Sequence, residues 1–269
     1  MTTDVATEVS PALRRGAIAA AAAVARRFRR ASTDLAAFIP LVCQDDHGTP
    51  LSLAPVHRAW LAHVDYCWRR RLKALILAPF GHGKSSSLLV PLAAYCIGRD
   101  PNTRIKVVTN DDDSAAKRVA TVGKILETSA FRSVFPGVKP GSRWTGHEVY
   151  VQRTGHAIDP TIHARGIFTT GIGGRCDVEL FDDIVDQKNS TNATQRGVVI
   201  SRAEETWLSR LEPDGNALAI GTAWHQGDAY HHWMQQSGWC TLVQSVADDC
   251  ESIEQVVYGA GEDYPGLAP

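Results

Sequence analysis

The chain is short of several features that would narrow its class at once. Its six cysteines stand at 43, 67, 96, 176, 240 and 250, and none form a Cys-x-x-Cys pair. That spacing indicates neither a zinc site nor a disulfide framework, so reduced thiols are expected. An excess of one charge is also missing. Lys and Arg number 28, Asp and Glu 29, and the formal net charge is −1. No overall basic field advertises nucleic acid, and any such contact must come from a local patch or an assembly that concentrates one. There is no internal repeat, no low-complexity linker and no long apolar run. The apolar stretch 17–25 lies between Arg14-Arg15 and Arg26-Arg27 and is too short to span a bilayer. It is rich in Ala and followed directly by Arg, which fits a helix better than a signal peptide. The run Arg26-Arg27-Phe28-Arg29-Arg30 reads as a solvated helix face or a contact for DNA or a partner protein.

What remains is a globular composition, 44% hydrophobic and 21% charged over 269 residues, enough for one large domain with appendages. The reading divides it into an N-terminal helical arm (1–48), an α/β body (49–246) and a tail or linker (247–269). Apolar runs at 72–77 and 104–109 predict strands, each followed by a helical pattern. Pro91 inside the first of those helices predicts a kink or an early stop. Asp111, Asp112 and Asp113 supply capping chemistry for the second, since consecutive carboxylates do not face one point. Further strands are expected at 148–152, 162–169, 178–181, 217–220 and 241–246. A helix is expected over 194–211, and Pro213-Asp214-Gly215-Asn216 reads as a turn. Strands alternating with helices predict a mainly parallel sheet covered on both faces.

Four pieces carry chemistry. The first is the strand ending at Leu77, followed by Ala78-Pro79-Phe80-Gly81-His82-Gly83-Lys84-Ser85-Ser86. A strand, a glycine turn and a Gly-Lys-Ser helix opening are the parts of a phosphate cradle. Lys84 would reach the β/γ-phosphates and the Ser85 hydroxyl would hold Mg²⁺. Ala78 stands where the first Gly of GxxxxGK[ST] belongs, and an ordinary strand–turn–helix reads the same way. The second is Val178-Glu179-Leu180-Phe181-Asp182-Asp183, a strand delivering acids at its end. Asp182 is assigned to the metal and Asp183 to the attacking water; the alternative is a capping pair. The third is Leu218-Ala219-Ile220-Gly221-Thr222-Ala223-Trp224-His225. Thr222 would sense the γ-phosphate at the sheet edge, unless the segment is a plain strand end with Trp224 as core filler. The fourth is an arginine, supplied in cis or by a neighbouring subunit, to stabilise charge in phosphoryl transfer. Arg165 and Arg175 are the candidates and Arg175 is preferred, with an Asp177 ion pair as its structural competitor.

Together these pieces resemble the large terminase subunits of tailed bacteriophages, ATPases that pump DNA into proheads. The similarity runs from about Pro50 to His232. It includes Leu51 to His57-Arg58, Pro79 to Ser85, Gly98-Arg99-Asp100-Pro101, Ala116-Lys117-Arg118 and Phe135-Pro136-Gly137-Val138. It continues through Gly174-Arg175-Cys176-Asp177, Asp182-Asp183-Ile184 and Gly221 to Asp228. The resemblance implies a P-loop NTPase fold with an extra strand between the two phosphate-site strands, the Thr222 strand being that insertion. It implies ATP and Mg²⁺ as ligands, with sequence-independent contacts to the phosphates of double-stranded DNA. A portal protein, a small terminase subunit and a homo-oligomeric ring are the implied partners, with no membrane. The implied location is the cytoplasm of the infected bacterial host, docked transiently on the prohead portal. His57-Arg58 looks like the family's adenine-side element, or equally the start of a helix.

The chain also departs from the family pattern. Gly81 and Ala223 occupy positions where many members carry Arg, which shifts cationic duty onto Lys84 and Arg165 or Arg175. Members usually continue into an RNase H-like nuclease domain, but about two dozen residues follow 241–246, so nuclease activity is not expected. Asp248, Asp249 and Glu251 are read as a solvated tail. The competing readings are another P-loop translocase, which would need motifs for a second motor lobe, and a non-catalytic packaging scaffold with vestigial nucleotide binding.

Overall fold

The computed structural model describes residues 11–156, 158–170, 173–246 and 253–265. Helices α1 (Pro11–Ala31), α2 (Leu35–Val42) and α3 (Pro55–Arg69) precede strand β1 (Lys73–Leu77). A π-type turn, Ser85–Leu89, then leads into α4 (Val90–Arg99). Next come β2 (Ile105–Thr109), α5 (Asp112–Glu127), α6 (Ser129–Val134), β3 (Pro140–Trp144), β4 (Glu148–Val151) and β5 (Ile162–Gly166). The second half holds β6 (Cys176–Asp182), α7 (Gln187–Ser190), α8 (Ala193–Ser201), β7 (Leu211–Gly221), α9 (Ala229–Met234), β8 (Trp239–Val246) and β9 (Ile253–Tyr258).

The strands make one nine-stranded sheet in the order β3-β4-β5-β2-β6-β7-β1-β8-β9. Pairing is parallel from β5 through β8 and antiparallel at both margins. β7 lies between β1 and β6 and is hydrogen-bonded to both. This is the inserted-strand topology that the resemblance implied. Alternation along β1 feeds two cores. Ala74 and Ile76 pack with Trp60, Leu88 and Val119 on the α3/α4/α5 face. Leu75 and Leu77 pack with Trp207, Tyr230 and Trp233 on the α8/α9 face. Side chains that leave a strand in opposite directions require both faces to be covered. The segment read as an arm contributes to the first core: Phe38 is fully buried against Tyr95, Phe131 and Phe135.

Several expectations change. Pro91 does not stop its helix. It falls in the first turn of α4, and the preceding π-type turn (Val90 N–H to the Ser85 carbonyl) removes the need for an amide there. The turn expected at 213–216 is instead absorbed inside β7. Its register jumps from Cys176↔Leu211 to Val178↔Asn216, a bulge rather than a chain reversal. The helix expected over 194–211 ends as α-helix at Ser201 and continues in π and 3-10 turns. Within the segment read as a tail, Ile253–Tyr258 pairs as an edge strand with β8. Asp248, Asp249 and Glu251 lie outside the described residues.

Candidate active site

β1, β6 and β7 run side by side and in parallel, so their C-terminal ends open onto one edge of the sheet. The loop after β1 turns there through Gly81 (φ +83°) and Gly83 (φ +73°). Such angles suit glycine alone, and a Cβ on Gly83 would also stand 3.0 Å from Ser87 Oγ. The tip residue Phe80 is 88% exposed. Lys84, by contrast, is buried, and its Nζ donates to the carbonyls of Ala78 (2.9 Å) and Pro79 (3.1 Å) and to Thr222 Oγ1 (3.0 Å). Burial lowers the lysine's pKa, while the Asp183 and Asp182 carboxylates oppose that shift. Thr222 Oγ1 in turn donates to the Ala78 carbonyl at 3.3 Å. The end of β7 and the phosphate-type loop are thus joined through one hydroxyl.

Beside them, Ser85 Oγ donates to Asp182 Oδ1 at 2.9 Å. A hydroxyl and a carboxylate at this spacing are hard oxygen donors of the kind Mg²⁺ prefers. Asp182 is fully inside, and its other oxygen accepts from Arg118 Nε of α5 at 2.6 Å. Asp183 has left-handed backbone (φ +46°), which turns the chain sharply at the end of β6 and leaves its side chain half-buried. Burial raises the Asp183 pKa and the neighbouring Asp182 charge adds to that. Lys84, Arg118 and a hydrogen bond from the Thr222 backbone pull it back. A carboxylate of raised basicity is suited to accepting a proton from water.

The loop behind Thr222 is fixed by Asp228, which is wholly buried. Its carboxylate accepts from the backbone N–H groups of Trp224 (3.1 Å), His225 (3.2 Å) and His231 (3.0 Å), capping α9 as it does so. Trp233 of α9 stacks on Trp239 with ring centroids 4.5 Å apart. Gly221 is required because Tyr230 passes beneath it, and a Cβ would come within 2.3 Å of that ring. Trp224, expected as core filler if Thr222 had no role, is instead 49% exposed.

Lys84, Ser85, Asp182, Asp183 and Thr222 are therefore brought together. Arg175 is not placed with them within one chain, which leaves it only the role of an arginine supplied to a neighbouring copy. It precedes β6 at the end opposite Asp182, about 20 Å away along the strand, and pairs with Glu212 at 3.3 Å. Asp177 is held by Arg104 instead. Arg165 lies on β5, separated from β6 by β2, and reaches Glu148 at 3.4 Å. The cation that does meet the acids within one chain is Arg118. Its helix follows β2, the parallel neighbour of β6, so a basic residue on the inward face of that helix is the signal that could have found it.

His57 and Arg58 open α3, as the helix-start reading expected. His57 Nδ1 accepts from the Ala54 amide (3.2 Å), so Nε2–H donates to the His82 carbonyl of the loop (3.1 Å). Arg58 is exposed and lines a groove between α3 and α4 with Tyr95 and Arg99. The three-residue acidic run behaves as capping chemistry. Asp111 caps α5 through Ser114 N–H (2.7 Å), and Asp112 accepts from Gly166 N–H (2.8 Å).

No family model matches the sequence, and no curated protein matches it. Among solved structures, the chain shares its fold with part of the large terminase of bacteriophage HK97. The TM-score is 0.51 at 16% identity, over 76% of this chain and 40% of that one. A Saccharomyces cerevisiae Dbp5 complex with ADP overlaps 74% of this chain and 54% of its own. Its TM-score is 0.39 at 11% identity, too low to argue from. The match thus covers two fifths of the HK97 protein's length.

Proposed function

We propose that this chain is the ATP-hydrolysing motor portion of a phage large terminase, driving double-stranded DNA into a prohead, with residues 49–246 as its body. The observation that carries the reading is the meeting of Lys84 with Thr222 and of Ser85 with Asp182 at one sheet edge. Lys84 would exchange its carbonyl partners for phosphate oxygens. Ser85 and Asp182 would hold Mg²⁺, which supplies charge neutralisation for phosphoryl transfer. Asp183 would orient the water and take its proton. Arg118 orients Asp182 and supplies a cation in a site where Gly81 and Ala223 offer none. Thr222 shares its hydroxyl with the lysine and the loop, so loss of the γ-phosphate would be felt at the end of β7.

DNA contact would be to phosphates and salt-dependent. The run at 69–71 is a weak candidate for it, because Arg69 pairs with Asp65, Arg70 with Asp263 and Arg71 with Asp214. The better candidates are Arg26, Arg27 and Arg29 on α1, which face solvent. A portal protein, a small subunit and a ring of copies of this chain would complete the machine in the cytoplasm of the infected host. Among the described residues no helix is long and apolar enough to cross a membrane.

The test is ATP turnover with DNA present, by wild type and by Lys84→Ala. A loss of about 100-fold or more in the variant is expected, the scale of removing a preorganised charge at the reacting phosphate. Equal, near-zero rates in both proteins, with DNA and packaging partners supplied, would favour a scaffold instead.

A further inference from the structure

The spacing of the cysteines gave no hint of a metal site, yet the fold assembles one set of soft ligands. His63 and Cys67 lie four residues apart on α3, on one helical face, and Cys240 faces them from β8. One donor atom from each lies within 4.8 Å of the other two. All three residues are completely buried. His63 Nε2 is 3.6 Å from Cys67 Sγ. In a tetrahedral zinc site, bond lengths near 2.3 Å to sulfur and 2.0–2.1 Å to nitrogen put those atoms about 3.5 Å apart. The other ring nitrogen, Nδ1, meets Tyr264 Oη at 3.0 Å, the outer partner that orients a metal-bound imidazole.

We propose that His63, Cys67 and Cys240 bind a thiophilic divalent cation of the Zn²⁺ class. Each thiol gives up its proton to solvent on binding, so two thiolates balance the dication and the buried site is neutral. Neutral imidazole contributes Nε2, while Nδ1–H donates to Tyr264. The Cys240 carbonyl also lies 3.2 Å from Nε2. The ion would rivet α3 to β8. It stands apart from the phosphate chemistry and connects to it through α3, whose His57 holds the loop carbonyl of His82, and through β8, which pairs with β1. The competing arrangement is metal-free, with Nε2–H on the Cys240 carbonyl and the Tyr264 hydroxyl on Nδ1.

The full chain, purified under reducing conditions without chelator, would be assayed for bound Zn²⁺ and titrated with Co²⁺. One zinc per chain and a thiolate-to-cobalt charge-transfer band are expected. Cys67→Ser and Cys240→Ser should abolish both, and Tyr264→Phe should weaken zinc binding by ~10–100-fold. A folded wild-type chain without stoichiometric zinc and without the cobalt band overturns the proposal. So does a Cys67–Cys240 disulfide in the native protein. Because the wild-type spectrum decides alone, a variant that fails to fold leaves the test intact. ATP turnover is not its readout, so the metal site and the motor reading stand or fall separately.

Discussion

Lys84 Nζ donates to Thr222 Oγ1 at 3.0 Å, across a sequence separation of 138 residues. The contact exists because β7, which is late in the chain, is inserted beside β1. A lysine that also binds two carbonyls of its own loop reports both on the loop and on the next strand's end.

Thr222→Ala tests that coupling. The hydroxyl is acceptor to Lys84 and donor to Ala78, so its loss should lower folding stability by about 1 kcal/mol. Turnover should fall by roughly tenfold or more, the rate equivalent of about 1.4 kcal/mol in the barrier, with KM for ATP little changed. Denaturant titration and steady-state kinetics read the two effects separately.

Arg118→Ala should leave the buried Asp182 carboxylate leaning on Ser85 alone. A stability loss of about 1–3 kcal/mol is expected without Mg²⁺. Mg²⁺ with nucleotide should recover part of it, since a cation again faces the carboxylate. Arg118→Lys keeps the charge but not the planar donor and should be intermediate. Thermal unfolding with and without Mg·ATP distinguishes the three proteins.

Asp183→Asn and Arg175→Ala should separate sharply in single-chain turnover. Asp183 is placed to accept a proton and its pKa is raised, first by burial. The rate should climb as pH rises through a value above the ordinary aspartate pKa, and Asp183→Asn should lose that limb together with most of the rate. Arg175 stands at the far end of β6, so its removal should change turnover of the isolated chain by less than about twofold. A large loss in the assembled ring, with the isolated chain unaffected, would mean that Arg175 serves the site of a neighbouring copy.

Glu179 should set a pH dependence of stability. It is fully buried beside Lys106 in the adjoining strand, and burial pushes its carboxyl up to about 8 from 4.5. The folded state therefore holds a proton that the unfolded chain releases. That contribution is complete below about pH 4.5 and is lost as pH rises through about 8. Glu179→Gln should flatten the fall in unfolding free energy across this window. An unchanged slope would show that Glu179 is ionised in the fold.

Local patterns made much of the molecule legible. The run at 74–77 has no polar residue to alternate with, so it had to be a strand buried on both faces. The glycines at 81 and 83 and the acids closing β6 marked the site, because backbone sterics and charge act over a few residues. The features that escaped are non-local. Pro213 and Gly215 carry turn chemistry, but pairing with both β6 and β1 holds their strand extended through a bulge. Arg118 is one basic residue on a helix until α5 packs against the sheet and points it at Asp182.

By itself, the order of residues determined which short segments become strands, where the phosphate-type loop turns and which side chains are chemically able to act. Tertiary structure alone decided which of them meet. Strand order brings Thr222 to Lys84, strand length carries Arg175 out of reach, and the packing of α3 on β8 gathers His63, Cys67 and Cys240. The physical reason is range: propensity and sterics are settled within a few bonds. A contact across more than a hundred residues forms only when the burial of two sheet faces repays the chain entropy of closing it.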